Sequence, residues 1–278
     1  MYAPPVSTAP GSLLGPQDGP PFTVQNPDSD HPLVLLCDHS SNAVPSALDN
    51  LGLDSDALAR HIAYDIGADA VTQRVADALG LCAVYCRYSR LVIDCNRYLA
   101  DPSSFLPVSD GTVVPGNQNL SEADKQARVE AIRVPYHRAV AAALSGREAD
   151  GAAAGLVAIH SFTPRMAGFE RPWHVGVLWD QDPRFAEPLL RHFALDASLC
   201  VGDNEPYSGR MPADYTIDHH GERQGRPCVS LEIRQDLLLE SHQHDEWAER
   251  VIDGLRDLVK RPELYKKRGN EHGERHRA

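Results

Sequence analysis

Leu33-Val34-Leu35-Leu36-Cys37-Asp38-His39-Ser40-Ser41-Asn42 joins five consecutive apolar residues to a polar cluster. A short apolar run bounded by polar residues reads as a strand buried on both faces, the kind found mainly in parallel sheets. Five further runs share this character: Cys82–Arg87, Arg90–Asp94, Leu156–His160, His174–Trp179 and Cys228–Ile233. Helical patterns lie between them. Asp54 to Leu79 carries Ile62, Ile66, Val71, Val75 and Leu79 at spacings of four or five, followed by Gly80, and reads as one long helix with a glycine stop. Ser121 to Leu144 opens with Ser121-Glu122-Ala123-Asp124, a capping-box-like start. Pro183–Phe193 and Asp245–Val259 complete the helices. The alternation predicts an α/β sandwich with a mostly parallel sheet, in which ligands collect beyond the carboxyl ends of the strands.

The 278 residues fit one large domain, placed at residues 23–260. Residues 1–22 are rich in Pro, Gly and Ser and read as a mobile leader, and the charged residues 261–278 read as a solvated tail. A hydrophobic fraction of 42% supplies a sizeable core and excludes wholesale disorder. With 27 Lys and Arg against 39 Asp and Glu, the net charge of −12 opposes binding to nucleic acid or anionic lipid and favours a small substrate. The six cysteines contain no CxxC pair and mostly sit in apolar runs, so they read as buried, reduced thiols. No run approaches the ~18 apolar residues of a spanning helix, and no basic region followed by an apolar stretch opens the chain, so a cytoplasmic protein is expected.

Polar groups follow several strand candidates. His39 and His160 emerge at two strand ends, and a catalytic zinc site needs three protein ligands plus an open position. Either histidine taken alone also fits a hydrogen-bonded structural role. Asp65, four residues after His61 on one face of the expected helix, is the candidate third ligand, with Asn42 a weaker one. A solvated His61–Asp65 pair is the alternative. Arg90, Asn96 and Arg97 bracket an apolar segment and can approach the crevice, where a guanidinium suits a carboxylate or a developing oxyanion. Pairing of the arginines with Asp94 is the alternative. Glu232 is an acid inside an apolar run and must be paired, protonated or near a metal; Arg234, two residues on, shares its strand face. Tyr207 sits in a turn-rich loop able to reach inward, with an ordered surface loop the favoured alternative, and His219-His220 can supply a ligand or an acid or be simply exposed. Ser40, Ser41 and Ser161 lack a GxSxG elbow, which disfavours a serine hydrolase. Residues 101–118 can form a lid.

The ordered series Cys37-Asp38-His39-Ser40-Ser41-Asn42, His61-Ile62-Ala63-Tyr64-Asp65-Ile66-Gly67-Ala68, and Ser89-Arg90 through Asp94-Cys95-Asn96-Arg97 resembles the N-formylglutamate amidohydrolase family. His160-Ser161-Phe162-Thr163-Pro164, Gly202-Asp203-Asn204-Glu205-Pro206-Tyr207 and Glu232-Ile233-Arg234-Gln235-Asp236 extend the resemblance over nearly everything between the two ends. The resemblance implies a three-layer α/β/α sandwich around a mixed sheet, similar to the zinc carboxypeptidases and aspartoacylases. It implies that His39 and His160 hold zinc, that Asn96 and Arg97 grip a substrate carboxylate, that Arg90 stabilises the oxyanion and that Glu232 is the general base. Tyr207 and Arg234 join the expected substrate-binding set. The carboxypeptidases place a metal-binding Glu three residues after the first histidine. Asn42 stands there in this chain, which makes Asp65 the substitute. The expected reaction is metal-dependent hydrolysis of an N-acyl amide such as N-formyl-L-glutamate, with loss of Arg90 lowering turnover far more than stability. Its rivals are a non-catalytic carboxylate-binding protein and a metal-dependent amidase acting on cell-wall fragments. His-Ser-Ser in place of the His-x-Gly of formylglutamate deformylases points to a side branch with another N-acyl substrate.

Overall fold

Five of the six apolar runs form strands of one sheet in the computed structural model, which describes residues 1–4, 12–148, 152–210 and 214–268. The sheet contains β1 (Phe22–Gln25), β2 (Leu33–Cys37), β3 (Cys82–Cys86), β4 (Gly155–Phe162), β5 (Val175–Leu178), β6 (Val201–Asp203) and β7 (Cys228–Arg234). Their spatial order is β1-β3-β2-β4-β7-β5-β6. β3, β2, β4 and β7 run parallel to their neighbours in that series, as does β6 to β5, while β1 on β3 and β5 on β7 are antiparallel.

Period-two alternation sends each strand's side chains to both faces. Leu33 and Leu35 of β2, Val157 and Ile159 of β4, and Val229 and Leu231 of β7 pack with α2 (Ala68–Leu79), α5 (Pro183–Phe193) and α7 (Ser241–Val259). On the other face, Val34, Leu36, Leu156 and Ala158 pack with Tyr136, Val140 and Leu144 of α4 (Val134–Ser145). The expected three-layer sandwich is therefore borne out. All five residues of β2 are buried, and each large apolar side chain contributes roughly 1.5–3 kcal/mol, so its carboxyl end is a firm mount for Asp38 and His39. The capping box also forms: Ser121 caps α3 (Glu122–Arg128), which continues through a π-helical turn, Val129–Arg133, into α4. Among the described residues, no helix is long and apolar enough to cross a membrane.

Several expectations need correction. The long helix 54–79 is broken: Asp54 caps a single turn, α1 (Ser55–Leu58), and α2 starts only after Gly67, whose φ of +78° is left-handed. His61 and Asp65 therefore do not share a helix face. Arg90–Asp94 is not a strand but a buried irregular segment. Two of its carbonyls are met by side chains in place of a ladder: Asn117 Nδ2 donates to Leu91 O (2.8 Å) and Arg128 donates to Val92 O (3.0 Å). β1 and β6, of four and three residues, were too short to register.

The ordered unit also extends past both expected boundaries. Residues 5–11 of the expected leader lie outside the described residues, but Tyr2 pairs with Val24, Leu14 is buried and Phe22 belongs to β1. Residues 269–278 of the expected tail lie outside them too, yet Leu264 and Tyr265 are buried and the Arg268 amide donates to Gly225 O (2.9 Å). Among the cysteines, Cys200 is exposed while the other five are buried.

Candidate active site

β4 and β7 are parallel neighbours, and His160 and Glu232 are register partners on them. Both side chains fall on the same sheet face, two residues beyond Ala158 and Ser230 respectively. His39 follows β2, which flanks β4 on its other side. Asp65 arrives from the link between α1 and α2, where its amide donates to His39 O (3.0 Å). Gly67 makes that approach possible. A Cβ at its left-handed position would lie 2.4 Å from Leu238 Cβ, so only glycine fits.

One atom of each of His39, Asp65 and His160 lies within 4.8 Å of the other two, and all three residues are buried. Nδ1 of His39 and Nδ1 of His160 both face Asp65 Oδ2, at 3.2 and 2.9 Å. Their outer nitrogens are each backed by a second acid. His39 Nε2 donates to Asp94 Oδ1 (2.8 Å), and His160 Nε2 lies 3.3 Å from Asp38 Oδ2. Asp38 is itself fixed, accepting from Tyr136 OH (2.9 Å) and Thr216 Oγ1 (2.6 Å). Arg90 spans the other two acids, donating twice to Asp94 Oδ2 (3.1 and 2.8 Å) and once to Asp65 Oδ1 (3.2 Å).

These contacts test whether a cation suits the site. A carboxylate only accepts hydrogen bonds, so with no metal every ring nitrogen facing one must carry a proton. The charges agree. Burial and Arg90 push the His39 pKa down, but Asp94 and Asp65 outweigh them and hold it above its ordinary value. Burial also opposes protonation of His160, yet Asp38 and Asp65 raise its pKa well above the ordinary value. Although burial works against ionisation of the acids, His160 leads the groups that lower Asp38 to about 2, His39 leads those lowering Asp65, and Arg90 leads those lowering Asp94. Three ionised acids against one guanidinium leave two negative charges, which two imidazolium protons or one dication can balance. A cation replacing the two Nδ1 protons would keep Asp38 and Asp94 as outer carboxylates orienting the rings, the usual arrangement around metal-bound histidine. The donor set fits.

Glu232 lines the same crevice and is buried, with Oε2 lacking a hydrogen-bond partner among the described residues. Desolvation, which His160 only partly offsets, raises its pKa to about 7, the range suited to a general base at neutral pH. His61 also lines the crevice. Its Nδ1 lies 3.8 Å from Asp65 Oδ1, and burial lowers its pKa to about 4, leaving a neutral ring.

The remaining predicted residues divide. Arg97, Asn96 and Tyr207 line the crevice with Arg90. Asn96 Oδ1 accepts from the Thr216 amide (2.9 Å), and Tyr207 OH accepts from Arg171 (3.0 Å). Arg90 pairs as the alternative reading foresaw, so its loss must disturb the acids as well as any substrate. Arg234 does not line the crevice: it pairs with Asp236 at 2.8 Å and donates to the carbonyls of Arg171 and Pro172. Asn42 donates to Leu58 O (3.0 Å) and stands outside the His-Asp-His group. His220 contacts His137 (Nε2 to Nδ1, 3.0 Å), and His219 stacks on Tyr215. Sequence reasoning passed over Asp38 and Asp214. Asp38 adjoins His39, the only available signal; Asp214 lines the crevice while capping α6 (Tyr215–His220).

Comparison with known proteins gives the family and the fold. The family model described as N-formylglutamate amidohydrolase matches residues 31–239. A gene product of Agrobacterium tumefaciens of known structure is 34% identical, with a TM-score of 0.84 over 89% of this chain and 100% of that one. The structure of N-formylglutamate amidohydrolase from Ralstonia eutropha is 20% identical, with a TM-score of 0.64 over 87% of this chain and 98% of that one. No curated protein matches the chain.

Proposed function

Because the chain belongs to the N-formylglutamate amidohydrolase family, hydrolases acting on amide bonds, we propose that it cleaves the N-acyl amide of a small carboxylate-bearing substrate, such as N-formyl-L-glutamate, with a divalent cation held by His39, Asp65 and His160. The observation that carries this reading is the aim of two Nδ1 atoms at one Asp65 oxygen, with Glu232 alongside. Two histidines and one carboxylate form a set that zinc takes in catalytic sites. The same set serves ferrous iron in oxygenases. Amide hydrolysis involves no redox change, which favours zinc.

A cation bound there would polarise the amide carbonyl and make water a nucleophile near neutral pH. Glu232 takes the proton from the attacking water and returns it to the leaving nitrogen. Arg90 uses three N–H groups on Asp65 and Asp94, which leaves two of its five for the oxygen that becomes negative. Arg97 and Asn96 hold the substrate carboxylate, and Tyr207 closes one side of the crevice. Release of the carboxylic acid from N-formyl-L-glutamate or a longer N-acyl-L-glutamate is the test. Release that stops on chelation and returns with zinc supports the proposal; metal-replete protein without release, or release indifferent to chelation, overturns it.

A further inference from the structure

The crevice has more room and more apolar wall than a formyl group uses. Its volume is about 630 Å³, within the ~300–1,000 Å³ of clefts that bury drug-sized ligands, whereas N-formylglutamate has about a dozen non-hydrogen atoms. Two hairpins contribute to the lining. One pairs Val108–Ser109 with Thr112–Val113, the other Arg165–Met166 with Phe169–Glu170. Each brings a half-exposed apolar side chain to the cavity, Val108 (48% exposed) and Met166 (54% exposed). Ile62, Leu106 and Leu178 add further apolar wall. The first hairpin is held in place by Arg60, which donates to Thr112 Oγ1 (2.6 Å) and Asp110 Oδ2 (2.8 Å).

One exposed valine or methionine on a surface is ordinary. Two, carried by separate hairpins onto one cavity with a charged floor, provide apolar contact for a ligand whose other half is ionic. We infer that the substrate's acyl half is an alkyl chain of several carbons seated against Val108 and Met166. This rests on the reading of the crevice as an N-acyl amino acid site: once Arg97 and Asn96 hold the carboxylate half, the acyl half is left to meet the apolar wall.

Titration calorimetry on zinc-loaded Glu232→Gln protein with N-formyl-, N-acetyl-, N-butanoyl- and N-hexanoyl-L-glutamate tests it. Affinity should tighten about fourfold per added methylene, the ratio expected for burying that group. Val108→Asp and Met166→Ala, the latter chosen because Met166 Sδ touches the Arg171 guanidinium that also holds Tyr207, should each weaken the hexanoyl compound about tenfold and leave the formyl compound within about twofold. Level or falling affinity along the series overturns the inference, as does a gain that both substitutions leave intact. Hydrolysis of the same series by the unsubstituted protein is followed in parallel. Hydrolysis with a flat affinity series rejects the acyl site alone; a tightening series with no hydrolysis rejects the catalytic reading alone. Failure of every member to bind rejects both.

Discussion

Glu232 stands beside His160 as its register partner on the neighbouring parallel strand, with one carboxylate oxygen left without a hydrogen bond among the described residues. A buried acid in that state is costly to keep as a structural element. Its position next to the His-Asp-His group supplies the reason for it. Glu232→Gln keeps shape and volume but removes the base, so kcat should fall ~10²–10⁴-fold while metal content stays unchanged and the unfolding midpoint does not fall. Steady-state kinetics with metal analysis on the same preparation checks this. Turnover within twofold of the unsubstituted protein would remove Glu232 from the mechanism.

Asp94 hydrogen-bonds the outer nitrogen of His39, and Asp38 lies 3.3 Å from that of His160. Replacing the carboxylate by an amide removes the charge that orients and enriches the ring, so Asp94→Asn and Asp38→Asn should each weaken zinc binding ~10–100-fold. Competition with a chromogenic chelator measures this directly. Unchanged affinity in both variants would mean that the acids serve packing alone.

Gly67→Ala tests how Asp65 reaches the site. The substitution forces a side chain into a left-handed φ of +78° and 2.4 Å from Leu238 Cβ. Strain and overpacking together should cost about 2–5 kcal/mol, read by urea unfolding, with zinc affinity falling as Asp65 is displaced. A stable variant with undiminished zinc binding would show that the link is not the positioning element.

His137 and His220 contact each other away from the crevice, and burial lowers their pKa values to about 4 and about 3. In the unfolded chain both protonate near the ordinary value of about 6.5. Between these limits the unfolded state binds more protons, so stability is full above about pH 6.5 and declines as pH falls towards 4 and below. Chemical unfolding across that range should show a shallower decline for the double variant His137→Asn with His220→Asn. Equal slopes would contradict neutral burial of the pair.

The sheet was legible because β2, β4 and β7 are apolar runs buried on both faces, and once their limits are known the common face of His160 and Glu232 follows from alternation alone. Asp65 was legible as a candidate but on a mistaken ground, since the apolar spacing of Ile62 and Ile66 runs through the break at Gly67 and mimics a continuous helix. Arg90–Asp94 could not be read correctly. Its apolar residues are buried like those of a strand, but two of its carbonyls are satisfied by Asn117 and Arg128, distant partners that no local pattern announces. Asp38 and Asp94 lay in plain view beside other conspicuous residues, and their role exists only in the folded contacts with the imidazoles.

Metal content is the measurement that bears most directly on the account. Elemental analysis of the purified protein, beside His39→Ala and His160→Ala, should find one divalent ion per chain in the first and little in either variant, with amide hydrolysis following the ion through removal and return. A protein that hydrolyses the amide at full rate with no ion bound, or that retains its ion without both histidines, would contradict it.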